Sequence, residues 1–284
     1  MAIKILVDSS SDISAEEAKA KGFELIPLIV SFGEEQFFDG VDLLPEQFFN
    51  RLIESDVLPT TSQINPYRFS EKLEELTADG SEVIVITLSS KLSGTYFSAV
   101  TAAEEFEHVY VVDSLNACIG ERLVCELAHN LREQGFSAEE IVAELEEKKH
   151  RIQLIAVLDT LEYLKKGGRV SKSVAFAGDM LNIKPVLSVV DGEITILGKA
   201  RGSKLGNNLL VQEVEKAGGV DFSKPVLLGY TGLSDALLLK YIEDSRPLWE
   251  QGLETVRYTT IGSVIGTHAG PGAIAAAFFK NSDL

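Results

Sequence analysis

Short, nearly continuous apolar runs recur at residues 3–7, 23–30, 83–86 and 109–112, and each closes on hydroxyl or acidic side chains. A strand that is apolar at consecutive positions buries both faces, which predicts a parallel sheet covered by helices on either side. The segments between the runs carry helix signals. Ser14 with Glu17 forms a capping box ahead of a helix that Gly22 closes, and Pro45 opens a helix whose apolar face holds Phe48, Phe49, Leu52 and Ile53. Asn65 and Pro66 cap and open a third, so the hydroxyl-rich stretch from Thr60 to Gln63 is expected to be a loop just before it. After the 83–86 run, Tyr96, Val100, Ala103 and Phe106 fall at helical spacing, with Ser93 as the expected N-cap. A further helix runs from about Ile119 to Gly135, and Ser137 with Glu140 starts another that reaches His150. Alternating strands and helices put the polar strand ends on one edge of the sheet, where open α/β sheets bind ligands.

The texture changes near residue 152. Runs at 154–158, 185–190 and 193–197 read as strands, the last two joined by Asp191-Gly192 in a hairpin. Strands are also expected at 225–230 and 254–261, with a helix over 237–249 between them. The pattern therefore predicts an α/β protein of two domains. Residues 1–153 hold the parallel sheet with helices on both faces, and residues 154–284 hold a mixed sheet with helices. The stretch 261–279 is long enough to be taken for a membrane span, but Gly262, Gly266, Gly270, Pro271 and Gly272 would break a lipid-facing helix. It reads as a buried strand, a glycine loop and an apolar helix.

Composition narrows the partners. Hydrophobic residues at 45% and charged residues at 24% over 284 residues describe a globular chain with a sizeable core. A net charge of -17 argues against a nucleic-acid partner and against broad adsorption on anionic lipid. The charge is uneven, however. Between residues 165 and 204, eight basic side chains (Lys165, Lys166, Arg169, Lys172, Lys184, Lys199, Arg201, Lys204) face three acidic ones (Asp179, Asp191, Glu193). Such an island suits either a solvated face or the docking of a phosphate or an acidic protein surface. Cys118 and Cys125 match neither a redox nor a zinc motif and are expected to be buried thiols. With no signal peptide in M-A-I-K-I-L-V-D-S-S, the expected location is the cytoplasm.

Three stretches concentrate chemistry: Thr60-Thr61-Ser62-Gln63, the turn from Ser89 to Thr95, and Ile265-Gly266-Thr267-His268-Ala269-Gly270-Pro271-Gly272. If they converge, they make a small cage of hydroxyls and one imidazole. A serine hydrolase with Ser93 as nucleophile, His268 as base and Asp8 or Asp113 orienting it is one reading. The surrounding K-L-S-G-T is not the G-x-S-x-G elbow that exposes such a nucleophile. Neither G-x-x-x-x-G-K-[ST] nor G-x-G-x-x-G occurs, which argues against a nucleotide-binding enzyme.

The order of several motifs is more specific than any one of them. V-D-S-S-S-D at 7–12, P-T-T-S-Q at 59–63, L-S-S-K-L-S-G-T-Y at 88–96, V-V-D-S at 111–114, L-K-K-G-G-R-V-S at 164–171, K-A-R-G at 199–202 and I-G-S-V-I-G-T-H-A-G-P-G at 261–272 span nearly the whole chain. In this it resembles the DegV family, and within it the acyl-binding subunits of bacterial fatty acid kinases. The resemblance implies a two-domain DegV-like fold with one long-chain fatty acid between the domains, its chain in an apolar tunnel. Thr61, Ser93 and His268 would bind the carboxyl group, with Ser62 and the Gly94 backbone beside them. Arg169 and Arg201 would belong to the surface that meets an ATP-dependent kinase subunit. The resemblance further implies no catalytic residue, metal or cofactor of the chain's own, and transient membrane contact for lipid exchange.

Overall fold

The computed structural model describes residues 2–170, 182–250, 252 and 256–281. Ser171, Lys172, Asp179 and the opening residues of the strand expected at 254–261 lie outside these.

Four strands form a parallel sheet in the order Phe23–Ile26, Ile3–Asp8, Glu82–Thr87, Val109–Asp113. Both faces are covered, and successive strand residues serve opposite sides. Leu6, Val83 and Val85 pack with Phe69, Leu73 and Ala99 from the helices Pro66–Thr77 and Thr95–Ala103. Ile5, Val7, Ile84 and Ile86 pack on the opposite side with Leu123, Val124 and Ala128 of the helix Cys118–Glu133.

Six strands form the second, mixed sheet in the order Glu193–Arg201, Ile183–Val190, Ile152–Val157, Ile274–Phe279, Leu227–Tyr230, Arg257–Thr260. Only its last pair is parallel. Its inner face packs against the helix Cys118–Glu133, which is thereby held between two sheets and buries even Glu121, Arg122 and Glu126. Its outer face is sealed by Leu210, Val214, Tyr241 and Trp249 from the helices Ser203–Lys216, Ala236–Asp244 and Arg246–Trp249. Asp191 and Gly192 both take positive φ, as a two-residue hairpin turn requires.

Several expectations need correction. The run at 23–30 is not one strand: Pro27 lacks an amide hydrogen, and past it the chain leaves the parallel sheet. Residues Ile29–Phe32 instead centre a three-stranded antiparallel sheet between Glu35–Phe38 and Thr60–Ser62. The threonine loop is thus a short edge strand, with Thr61 opposite Val30. Gly94, not Ser93, caps the helix Thr95–Ala103. The helix expected over 237–249 is interrupted at Ser245, just before Arg246 and Pro247. The glycine-rich tail reverses its expected order, because Ser263–Ala269 is the helix and Ile274–Phe279 is a fully buried central strand. Among the described residues no helix is long and apolar enough to cross a membrane.

Candidate functional site

The site forms where the helix Ser263–Ala269, from the second half of the chain, docks into the first. His268 occupies the last turn of that helix, and its Nε2 lies 2.9 Å from the Thr61 hydroxyl on the edge strand. Burial, and secondarily the positive Arg169, push the imidazole down to about 4, so the ring is neutral near pH 7. The other ring nitrogen, Nδ1, is buried and has no partner among the described residues. It sits against Gly167, where any side chain would collide with it.

From Gly167 the contacts continue around a closed circuit. Arg169 donates from Nη1 to the Gly167 carbonyl at 2.6 Å and from Nε to the Leu92 carbonyl at 3.2 Å. Next along the chain, the Ser93 hydroxyl accepts from the Thr95 amide at 3.2 Å and lies 3.0 Å from the Thr95 hydroxyl. The Gln63 side chain packs on Gly94 and donates to the Ser98 hydroxyl at 3.1 Å. Gln63 follows Ser62 and Thr61, and the circuit returns to His268. The result is a collar of hydroxyls, one neutral imidazole and one guanidinium.

Behind the collar is a chamber of about 110 Å³ lined almost wholly by aliphatic side chains. One wall is the inner face of the six-stranded sheet, where alternation brings Leu154, Ala156, Leu158, Leu187, Val189 and Ala275 inward. Leu88, Ala117, Cys118 and Val264 close the opposite side. Cys118 and Cys125 are free and buried, and burial raises both thiols well above their ordinary range. Outside the collar a second, polar cleft is lined by Lys91, Ser93, Gly94, Arg169 and Glu193.

Thr61, Ser62, Ser93, Gly94 and His268 are therefore gathered at or beside one mouth. Arg169 is there too, half-buried and lining both the chamber and the polar cleft outside it. Arg201 is exposed at the end of an edge strand, with Lys199 and Lys204 exposed nearby. Gln63 and Gly167 are collar members that sequence reasoning left without a role, although both fall within the quoted motifs.

The arrangement does not suit a serine hydrolase. His268 pairs with Thr61, and the Ser93 hydroxyl with Thr95. The Asp8 carboxylate, pushed up to about 6 by burial, accepts from the Leu88 amide and from Ser10. The Asp113 carboxylate accepts from the Ser90 and Leu115 amides. Neither acid orients the imidazole.

These features define a two-lobed α/β protein with an aliphatic chamber closed by a polar collar. The chain belongs to the DegV family, described as uncharacterised proteins, whose model matches residues 2–281. It is 35% identical over 282 residues to a DegV domain-containing protein of Caldanaerobacter subterraneus, covering 98% of each chain. Among solved structures it is similar to a DegV family protein from Thermus thermophilus described by its fatty acid binding, with a TM-score of 0.87, 30% identity and coverage of 98% of this chain and 100% of that one. DegV from Bacillus subtilis, described as a fatty acid binding protein, superposes with a TM-score of 0.82 at 30% identity, covering 99% of this chain and 100% of that one.

Proposed function

We propose that this protein binds one long-chain fatty acid, with the acyl chain in the chamber and the carboxyl group at the collar, and presents that group to a separate ATP-dependent kinase subunit for acyl-phosphate formation. The observation that carries the reading is the buried Nδ1 of His268, without a partner among the described residues, in a collar of donors over an aliphatic chamber. A buried carboxylate without donors is costly, and a long alkyl chain needs apolar walls. Each methylene buried contributes about 0.8 kcal/mol, so the chamber supplies most of the affinity and the collar sets orientation. Thr61, Ser93 and His268 hold the carboxyl group, with Ser62 and Gly94 beside them. The likeness to the Thermus and Bacillus proteins, both described by fatty acid binding, supports the ligand class.

The protein breaks no bond itself. Transfer of the phosphoryl group falls to the kinase, which docks on the basic face that includes Arg169 and Arg201. Brief contact with a membrane supplies and removes lipid.

Titration of delipidated protein with palmitate, its methyl ester and hexadecanol tests the reading. One palmitate per chain, bound more tightly than the ester or the alcohol, is expected. Equal affinity for all three would leave the collar without its role. For the kinase step, Arg201→Ala is expected to keep its fatty acid while hydroxylamine-trapped acyl phosphate forms more slowly. Loss of lipid from that variant would move Arg201 into the pocket.

A further inference from the structure

The helix that presents His268 has seven residues, too few to hold its shape or direction unaided. Its N-cap, Gly262, has no side chain to receive the first amides. The acceptors come instead from the far end of the sequence. Asp12 Oδ1 accepts from the Gly262 amide at 2.8 Å, and Asp39 Oδ1 accepts from the Ser263 amide at 3.1 Å and from the Ser263 hydroxyl.

Both residues are held in turn through their backbone. The Asp12 carbonyl accepts from buried Arg122 at 3.1 Å. Asp39 directly follows the strand Glu35–Phe38, which shares the three-stranded sheet with Thr61, and its amide donates to the Leu28 carbonyl at 3.1 Å. Along the middle of the helix, Gly266 lies against Phe48 and Phe49 so closely that a Cβ would stand 2.7 Å from Phe48 Cε1. A local cap would tie the helix only to itself. Caps from the first lobe tie it to the frame that carries Thr61.

We infer that Asp12 and Asp39 are positioning residues that set the axial rotation and height of the His268 helix, and through it the collar's preference for a carboxylate head group. One residue of axial slip turns a side chain by about 100°, which would carry the imidazole away from Thr61. The inference rests on the proposed reading of the collar as the carboxyl grip.

The test uses Asp39→Asn and Ser263→Ala in the full chain, with palmitate and methyl palmitate as probes and histidine-ring NMR as the second readout. Asp39→Asn keeps the shape and one acceptor oxygen but removes the negative charge and the second oxygen from the helix N-terminus. Its palmitate Kd is expected to rise at least tenfold while the ester Kd stays within twofold, and the His268 ring nitrogen shifts are expected to move. Ser263→Ala, which removes one donor to Asp39, is expected to show the same changes at two- to fivefold. Should Asp39→Asn not fold, Ser263→Ala decides alone. Variants that lose thermal stability but keep wild-type ring shifts and acid-over-ester preference would overturn the inference. A wild-type protein that does not distinguish acid from ester would refute the collar's function instead, and the ring shifts would still report whether Asp39 positions His268.

Discussion

Ala156 and Thr61 both line the cavity, yet they are specified in different ways. Ala156 is one of many aliphatic positions where volume alone matters, and its neighbours on the sheet are interchangeable in kind. Thr61 has one partner, His268 Nε2, reached across 207 positions of sequence, and no residue lacking a hydroxyl at that spot reproduces the contact. The chamber holds by area and the collar by identity. A chamber lesion therefore costs affinity for any long chain, whereas a collar lesion costs discrimination among head groups.

The sharpest way to break this contrast is to fill the chamber. Ala275→Phe, on the inward face of a central strand, should exclude roughly four methylenes at about 0.8 kcal/mol each, more than a hundredfold in affinity. Calorimetric titration should show that loss for palmitate and methyl palmitate alike, with circular dichroism unchanged. A collar lesion is expected to be smaller and selective. His268→Ala removes one hydrogen bond to a charged head group, about 1.5–3 kcal/mol, or ten- to a hundredfold for palmitate and little for the ester.

Titration separates the regions again, because the chamber is aliphatic and the collar's supports ionise. Burial raises Asp12 from 3.8 to about 8, so between those values the folded chain keeps a proton that the unfolded chain has released. Its contribution to stability falls as pH rises through that window. His268, lowered from 6.5 to about 4, acts in the opposite sense: its contribution is complete above 6.5 and is lost as pH falls toward 4. From pH 6.5 to 8 the downward trend set by Asp12 remains. Chemical denaturation should show stability declining by up to about 1.4 kcal/mol per pH unit per group, with a flatter profile in Asp12→Asn. A rising profile would contradict the burial of Asp12. The smallest effect is expected for Ser93→Ala, where about 0.5–1.5 kcal/mol of palmitate affinity is lost and neither protein hydrolyses esters. Ester turnover that vanishes in the variant would restore the hydrolase reading.

The two regions also differ in how far they were legible. The parallel sheet could be read because its strands are apolar at consecutive positions and end in polar residues, and the Asp191-Gly192 hairpin because its turn chemistry is local. The strand Ile274–Phe279 was misread as a helix. I-A-A-A-F-F has no period, its alanines favour helix, and only pairing with Ile152–Val157 and Leu227–Tyr230 makes it extended. The strand Thr60–Ser62 was missed because its partner lies some thirty residues away and its hydroxyls look like turn residues. The grouping of Thr61, Ser93 and His268 came from the ordered motifs, since no spacing rule brings positions so far apart together. Asp12 fell within the quoted 7–12 motif but its role did not show there, and Asp39 left no local trace: each meets its helix more than two hundred residues downstream.

The central claim is tested most directly by native mass spectrometry and lipid extraction of the purified protein alongside Ala275→Phe. The account predicts about one fatty acid per wild-type chain and almost none in the variant. Wild-type protein free of acyl chains that also fails to take up added palmitate, or a filled chamber that still carries a full complement of lipid, would contradict it.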